Sequence, residues 1–417
     1  MACIKISESG PLSGNILVQG SKNAALPIIS AALLIDGKCV IENCPRLSDI
    51  YAVIEIIESL GGECEFNKNT LSMDLRNVKN RPIGEALTGK LRCSVTFAGA
   101  LYSRFKEAKL ALPGGCELGP RPIDMHIDAF KKLGIKASCS GGYIELSGKS
   151  ESADIVLSFP SVGATENAML AAVFSPGQTR IINGAKEPEI VCLQNFLNKA
   201  GAKISGAGTG VIHITGVEKL NDVTFRIDAD RIAAATYMAC ALSCGGEVSV
   251  YGVRKSHMES ILSSFEQMGA KIIASEEKIK VISNGRLNPI MVSTMPYPGF
   301  PTDALPLFTA LAATSKATSV FTENIFQNRF RHLDELSKLG AEVHVFGKTC
   351  VIIGKDELSG AKVNASDLRG GASLVVAALA SRGTTEISDI HYIDRGYENF
   401  CENLSEMGAN ITRDKRG

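Results

Sequence analysis

The sequence predicts an α/β protein of two domains, each built from three copies of one unit. Six stretches share a pattern of strand, turn, amphipathic helix, glycine and strand. The glycines that end those helices recur at nearly constant intervals. Each copy also holds a second helix, small and apolar on nearly every face. Six such helices with strands wrapped outside them are too many for one core.

In chain order the six stretches are CVIENCPRLSDIYAVIEIIESLGGECEF, KLALPGGCELGPRPIDMHIDAFKKLGIKASC, TRIINGAKEPEIVCLQNFLNKAGAKISG, EVSVYGVRKSHMESILSSFEQMGAKIIA, SVFTENIFQNRFRHLDELSKLGAEVHV and TEISDIHYIDRGYENFCENLSEMGANIT. Their helix-ending glycines, Gly61, Gly134, Gly201, Gly269, Gly340 and Gly408, are 73, 67, 68, 71 and 68 residues apart. Each fits the left-handed position that closes a helix. In the last copy Tyr397, Phe400, Cys401, Leu404 and Met407 share one face, which predicts a helix packing from outside. The second helices are KNAALPIISAALL, the less pure KLRCSVTFAGALYSRF, SVGATENAMLAAVF, DRIAAATYMACALSC, DALPLFTALAATS and DLRGGASLVVAALAS. Apolar all round, they are expected to be buried on every side.

Composition narrows the function. The 44 basic and 44 acidic residues balance, aromatics are 6% and tryptophan is absent, which argues against a nucleic-acid or membrane-surface binder. No apolar run reaches membrane-spanning length and the start MACIKISESG does not read as a signal peptide, so a cytoplasmic protein is expected. Twelve cysteines without CxxC pairing read as free thiols, and six isolated histidines give no metal cluster. Cys240 and Cys244 read as helix packing.

The polar residues of the buried helices gather at their N-termini: Ser21 to Asn23, Ser161 to Asn167, Asp228 to Arg231, Thr302-Asp303 and Asp367 to Arg369. Helix N-termini carry partial positive charge and unpaired N–H groups, so these ends favour an anion. Arg121, Arg329 and Arg395 stand at similar distances before their closing glycines, either as surface charges or as anion ligands. Lys22, Arg92, Arg121 and Arg395 together favour a polyanionic ligand. Cys116 sits on LPGGCELGPRP, whose glycines and prolines describe an exposed, shaped loop; the residues alone read it as a structural thiol first and a working one second.

GSKNAALP, PGGCELGPRPIDMHI, FPSVGATENAM, YPGFPTD, ENIFQNRFRH, DLRGGASL and IDRGYE, in this order from Gly20 to Glu398, resemble the UDP-N-acetylglucosamine 1-carboxyvinyltransferase branch of the enolpyruvyl transferases. The resemblance covers nearly the whole chain. It implies a two-domain inside-out α/β barrel with the active site between the domains. The implied domains are 21–229, and 1–20 joined with 230–417. The implied reaction moves the enolpyruvyl group of phosphoenolpyruvate to the 3′-hydroxyl of UDP-N-acetylglucosamine by addition and elimination, with release of phosphate, as the first committed step of peptidoglycan synthesis. The partners are these two small molecules, no cofactor is implied, and oligomeric state stays open, a monomer included.

By the same resemblance Lys22, Arg121 and Arg395 hold phosphoenolpyruvate, with Asn23 beside them. Asp303 stands by the attacking hydroxyl, although an aspartate there also suits a helix cap. Cys116 is the proton donor and the target of fosfomycin. Arg92 and the run Arg121, Pro122, Ile123, Asp124, Met125 take the UDP part. Ser161, Val162 and Gly163 offer backbone N–H groups to the diphosphate, and Ile325 lines the cleft near Asp303. Three positions depart from the family: Pro160 where some members have lysine, Ala233 where many have glutamate, and Gln327 where glutamate is usual. A shikimate 3-phosphate acceptor and a non-catalytic binding paralogue are the competing readings.

Overall fold

The structure, a computed structural model, describes residues 2–114, 122–283 and 285–414. The described residues divide into two compact units, one within residues 20–228 and one of residues 2–19 with 229–414. The expected boundaries lie one residue away at each crossing.

The repeats appear as six sheets with one topology. In the 20–228 unit, strand Val223–Arg226 runs parallel to Lys38–Glu42, which pairs antiparallel with Thr70–Asp74, itself antiparallel to Glu63–Asn67. Asp154–Val156, Gln178–Ile182, Val211–Thr215 and Lys203–Ser205 repeat that order. The middle copy keeps three strands, Glu107–Ala111, Tyr143–Ser147 and Lys136–Ser140. A single parallel bridge, Ile83 to Leu110, stands where its fourth strand would pair.

In the other unit the N-terminal segment completes two sheets. Ser13–Leu17 is the parallel edge beside Glu247–Tyr251, and Cys3–Ser7 lies between Thr384–Ser388 and Ile411–Asp414. That is why the unit contains both ends of the chain.

Inside the sheets of the 20–228 unit pack helices Lys22–Ala32, Thr96–Phe105 and Val162–Ala172; inside the other pack Arg231–Ser243, Leu305–Ala312 and Leu368–Leu379. Small residues allow close approach. A Cβ on Gly99 would lie 2.7 Å from the Asn167 carbonyl oxygen of the neighbouring helix. Each helix buries nearly all its side chains, as its unbroken apolar run predicts. All six repeat glycines have positive φ, from 77° at Gly134 to 110° at Gly201. Tyr397, Phe400, Cys401, Leu404 and Met407 are all buried, although the helix itself starts only at Phe400.

The predicted N-terminal polar residues cap their helices at Ser21, Ser161, Asp230 and Asp367, each accepting from amides two or three residues on. Asp303 does not. Its helix begins at Leu305 with Ala304 at the cap and no side-chain bond, so the cap role expected as one alternative fails there. Among the described residues no helix is long and apolar enough to cross a membrane.

Candidate active site

In the 20–228 unit the candidate residues collect at helix N-termini. Ser21 Oγ accepts from Ala24 N at 3.3 Å, which starts the helix at Lys22. Lys22 Nζ donates to Asp49 Oδ2 at 3.0 Å, and both side chains are largely buried. Asp49 lies in the first turn of helix Ser48–Ser59, where the dipole favours a carboxylate. Asn23 is half-buried beside Lys22. Asp49 went unnoticed in the sequence; its only signal was the Ser-Asp pair opening an amphipathic helix.

Pro122 and Ile123 lead into helix Asp124–Lys132, which puts Asp124 and Met125 in its first turn. Arg92 opens the 3-10 turn Arg92–Val95 and is half-buried. His126, also missed, is buried behind them. Asn167 Oδ1 accepts from Gly99 N at 2.9 Å, so its Nδ2 must be the atom 2.8 Å from His126 Nδ1. That Nδ2 donates to Val95 O as well. His126 Nδ1 therefore accepts and the ring proton sits on Nε2. Burial, with help from Arg92 and against Asp124, pulls its pKa down to about 4. A Cβ on Gly163 would lie 3.3 Å from His126 Cε1, so glycine lets the ring edge lie against the next helix.

Ser161 caps that helix, but its own N–H donates to Phe159 O at 2.7 Å. Of the three amides expected to face a diphosphate, that of Ser161 is thus already bonded, while Val162 and Gly163 supply the first two amides of the helix. Pro160, just before them, is half-buried. Glu166, one turn further in, is fully enclosed. Burial first, then Glu189 and Glu187, raises its pKa well above the usual carboxylate range.

The other unit holds a denser charge cluster. Asp303 Oδ1 accepts from Arg329 Nη2 at 2.6 Å, and Arg329 Nε donates to Thr302 Oγ1 at 3.0 Å. Arg329 is 1% exposed, so the surface-charge alternative for it is overturned. Arg369 Nε lies 3.6 Å from Asp303 Oδ2, and Arg329 Nη1 lies 3.8 Å from Asp367 Oδ1. Arg369 Nη1 donates to the Tyr397 hydroxyl at 3.1 Å, and that hydroxyl lies 2.8 Å from Thr236 Oγ1. Burial lowers the Arg369 pKa, but Tyr397, Asp303 and Asp230 outweigh it and raise the value well above the ordinary one. Its Nε and Nη2 are buried without a hydrogen-bond partner among the described residues. Enclosed in the fold, this cation acts on the Asp303 carboxylate through charge.

Ile325 is half-buried in the loop after strand Thr318–Thr322, and its N–H donates to Glu323 Oε1. Arg395 is half-buried at the C-terminus of helix His391–Asp394. Gln327 is exposed, and Ala233 is fully buried in the first turn of its helix, where its amide is capped by Asp230. Cys116 and Arg121 lie outside the described residues.

The chain is similar to known proteins over nearly its whole length. The profile of the EPSP synthase (3-phosphoshikimate 1-carboxyvinyltransferase) family matches residues 6–404. UDP-N-acetylglucosamine 1-carboxyvinyltransferase 2 of Caldanaerobacter subterraneus subsp. tengcongensis is 44% identical over 99% of this chain and 100% of its own. UDP-N-acetylglucosamine 1-carboxyvinyltransferase of Finegoldia magna is 42% identical over 99% of each. The enolpyruvyl transferase NikO of Streptomyces tendae superposes with a TM-score of 0.89 at 22% identity, covering 99% of both chains, which shows the same two-domain inside-out α/β barrel fold. The chain belongs to the enolpyruvyl transferase family and is a transferase.

Proposed function

We propose that the chain transfers the enolpyruvyl group of phosphoenolpyruvate to the 3′-hydroxyl of UDP-N-acetylglucosamine, the first committed step of peptidoglycan synthesis, in the cytoplasm. The observation that carries this most directly is Asp303 flanked by the buried guanidiniums of Arg329 and Arg369. The full-length relatives named for this acceptor support it.

In the first half of the reaction the 3′-oxygen bonds to C2 of phosphoenolpyruvate. Its proton passes to Asp303, while C3 gains a proton from Cys116. In the second half C3 loses a proton, the C2–O bond to phosphate breaks and the double bond returns. Lys22, Arg121 and Arg395, with Asn23, hold phosphoenolpyruvate. Arg92 and Arg121 to Met125 take the nucleotide, Val162 and Gly163 the diphosphate, and Ile325 packs near the attacking sugar. Phosphoenolpyruvate brings its own leaving group, so no cofactor enters.

The test is product identity. Incubation with both substrates should give an enolpyruvyl ether at the 3′-oxygen, read by mass spectrometry and nuclear magnetic resonance. Unchanged nucleotide sugar contradicts the proposal.

A further inference from the structure

We infer that Glu323 is a positioning residue for Asp303, acting through Thr302 and Arg329; this rests on the role proposed for Asp303. Glu323 directly follows strand Thr318–Thr322 and is 2% exposed. A buried carboxylate is costly unless its lone pairs are satisfied, and these are. Oε1 accepts from Ile325 N at 2.6 Å, Phe326 N at 2.9 Å and Thr294 Oγ1 at 3.0 Å. Oε2 accepts from Thr302 Oγ1 at 2.8 Å. One side chain thus ties together the Ile325 loop, the end of strand Met291–Ser293 and the segment carrying Asp303.

Counting protons gives this network a direction. The Thr302 hydroxyl has one hydrogen, and it is donated to Glu323 Oε2. A lone pair of Thr302 therefore faces Arg329 Nε at 3.0 Å, and Arg329 Nη2 reaches Asp303 Oδ1 at 2.6 Å. Glutamine at 323 could keep its carbonyl toward the three Oε1 donors and so keep the Ile325 loop. Its NH2 would then face Thr302. The hydroxyl would lose the carboxylate acceptor that fixes its hydrogen, and its two lone pairs would be shared between the new NH2 and Arg329 Nε, so it would no longer hold Arg329 in one place. Arg329 would shift, and Asp303 with it.

The test uses the full chain with Glu323→Gln, Thr302→Val, Thr302→Ser and the Glu323→Gln/Thr302→Val double variant. Phosphate release gives kcat, and calorimetry gives the Kd for UDP-N-acetylglucosamine. Thr302→Ser keeps the hydroxyl and should stay within about threefold of wild type. Glu323→Gln and Thr302→Val should each lower kcat by about 10²-fold, as misplacement of a reacting group does. Nucleotide-sugar Kd should stay within about threefold. The double variant should fall no further than the worse single one, because both act along one path.

A folded Glu323→Gln protein with wild-type kcat, a Thr302→Ser variant as slow as Thr302→Val, or multiplying losses in the double variant overturns the inference. If Glu323→Gln does not fold, the Thr302 pair decides alone. A wild-type chain that releases no phosphate overturns the functional proposal, and the inference with it.

Discussion

Arg329 Nη2 lies 2.6 Å from Asp303 Oδ1, and the guanidinium it belongs to is 1% exposed while the carboxylate is 28% exposed. The cation is sealed in the fold and the anion faces outward. Asp303 therefore balances a buried charge, and in the proposed reaction it also offers an oxygen to substrate.

Asp303→Asn should show both. Loss of the base should lower kcat by about 10²–10⁴-fold. Asparagine also leaves Arg329 without its nearest anion, so thermal unfolding should shift downward, moderated by Asp367 at 3.8 Å. Turnover and unfolding measured on one preparation check this. A variant unchanged in both contradicts the assignment.

The Lys22–Asp49 pair separates stability from function. Asp49→Ala leaves a buried ammonium without this partner and should cost roughly 3 kcal/mol in denaturant unfolding. Lys22→Met with Asp49→Leu replaces the pair by apolar groups of similar size and should recover most of that loss. Enzymatic turnover should not recover, because the cation is gone. Recovered turnover would show that Lys22 serves only the fold.

Acid stability should report His126. Its folded pKa of about 4 lies below the ordinary 6.5, so above pH 6.5 it adds no pH dependence. Between pH 6.5 and 4 the unfolded chain takes up a proton that the folded chain refuses. Stability then falls by about 1.4 kcal/mol per pH unit from this group. His332, likewise pulled down by burial, acts in the same direction. Denaturant unfolding of His126→Gln across this range should lose one proton from the slope, and an unchanged slope contradicts the neutral assignment.

Cys116→Ser should abolish time-dependent inactivation by fosfomycin if this thiol is the target. Mass spectrometry after incubation checks it. Continued inactivation with another cysteine labelled would place the target elsewhere.

The repeat was legible because it rests on local rules. Apolar period, closing glycines and capping residues each act within one copy, and all reappear in the sheets and buried helices. Among the described residues the middle copy has a single bridge at Ile83 in place of a strand, where three polar residues, Lys79 to Arg81, and Pro82 precede it and disfavour pairing. The site was legible where motifs carry it, at Lys22, Asp303 and Val162. Asp49, His126, Glu323 and the charge of Arg369 beside Asp303 were not, because each matters through a partner distant in sequence. Asp49 is 27 residues from Lys22, and Asn167 is 41 from His126. Asp303 reads equally well as a cap in the sequence; only the start of the helix at Leu305 separates the two roles.

The most direct measurement is phosphate release from phosphoenolpyruvate with UDP-N-acetylglucosamine or shikimate 3-phosphate as acceptor. Release with the nucleotide sugar alone is the expected result. Release with shikimate 3-phosphate alone, or with neither acceptor, would contradict the proposed reaction.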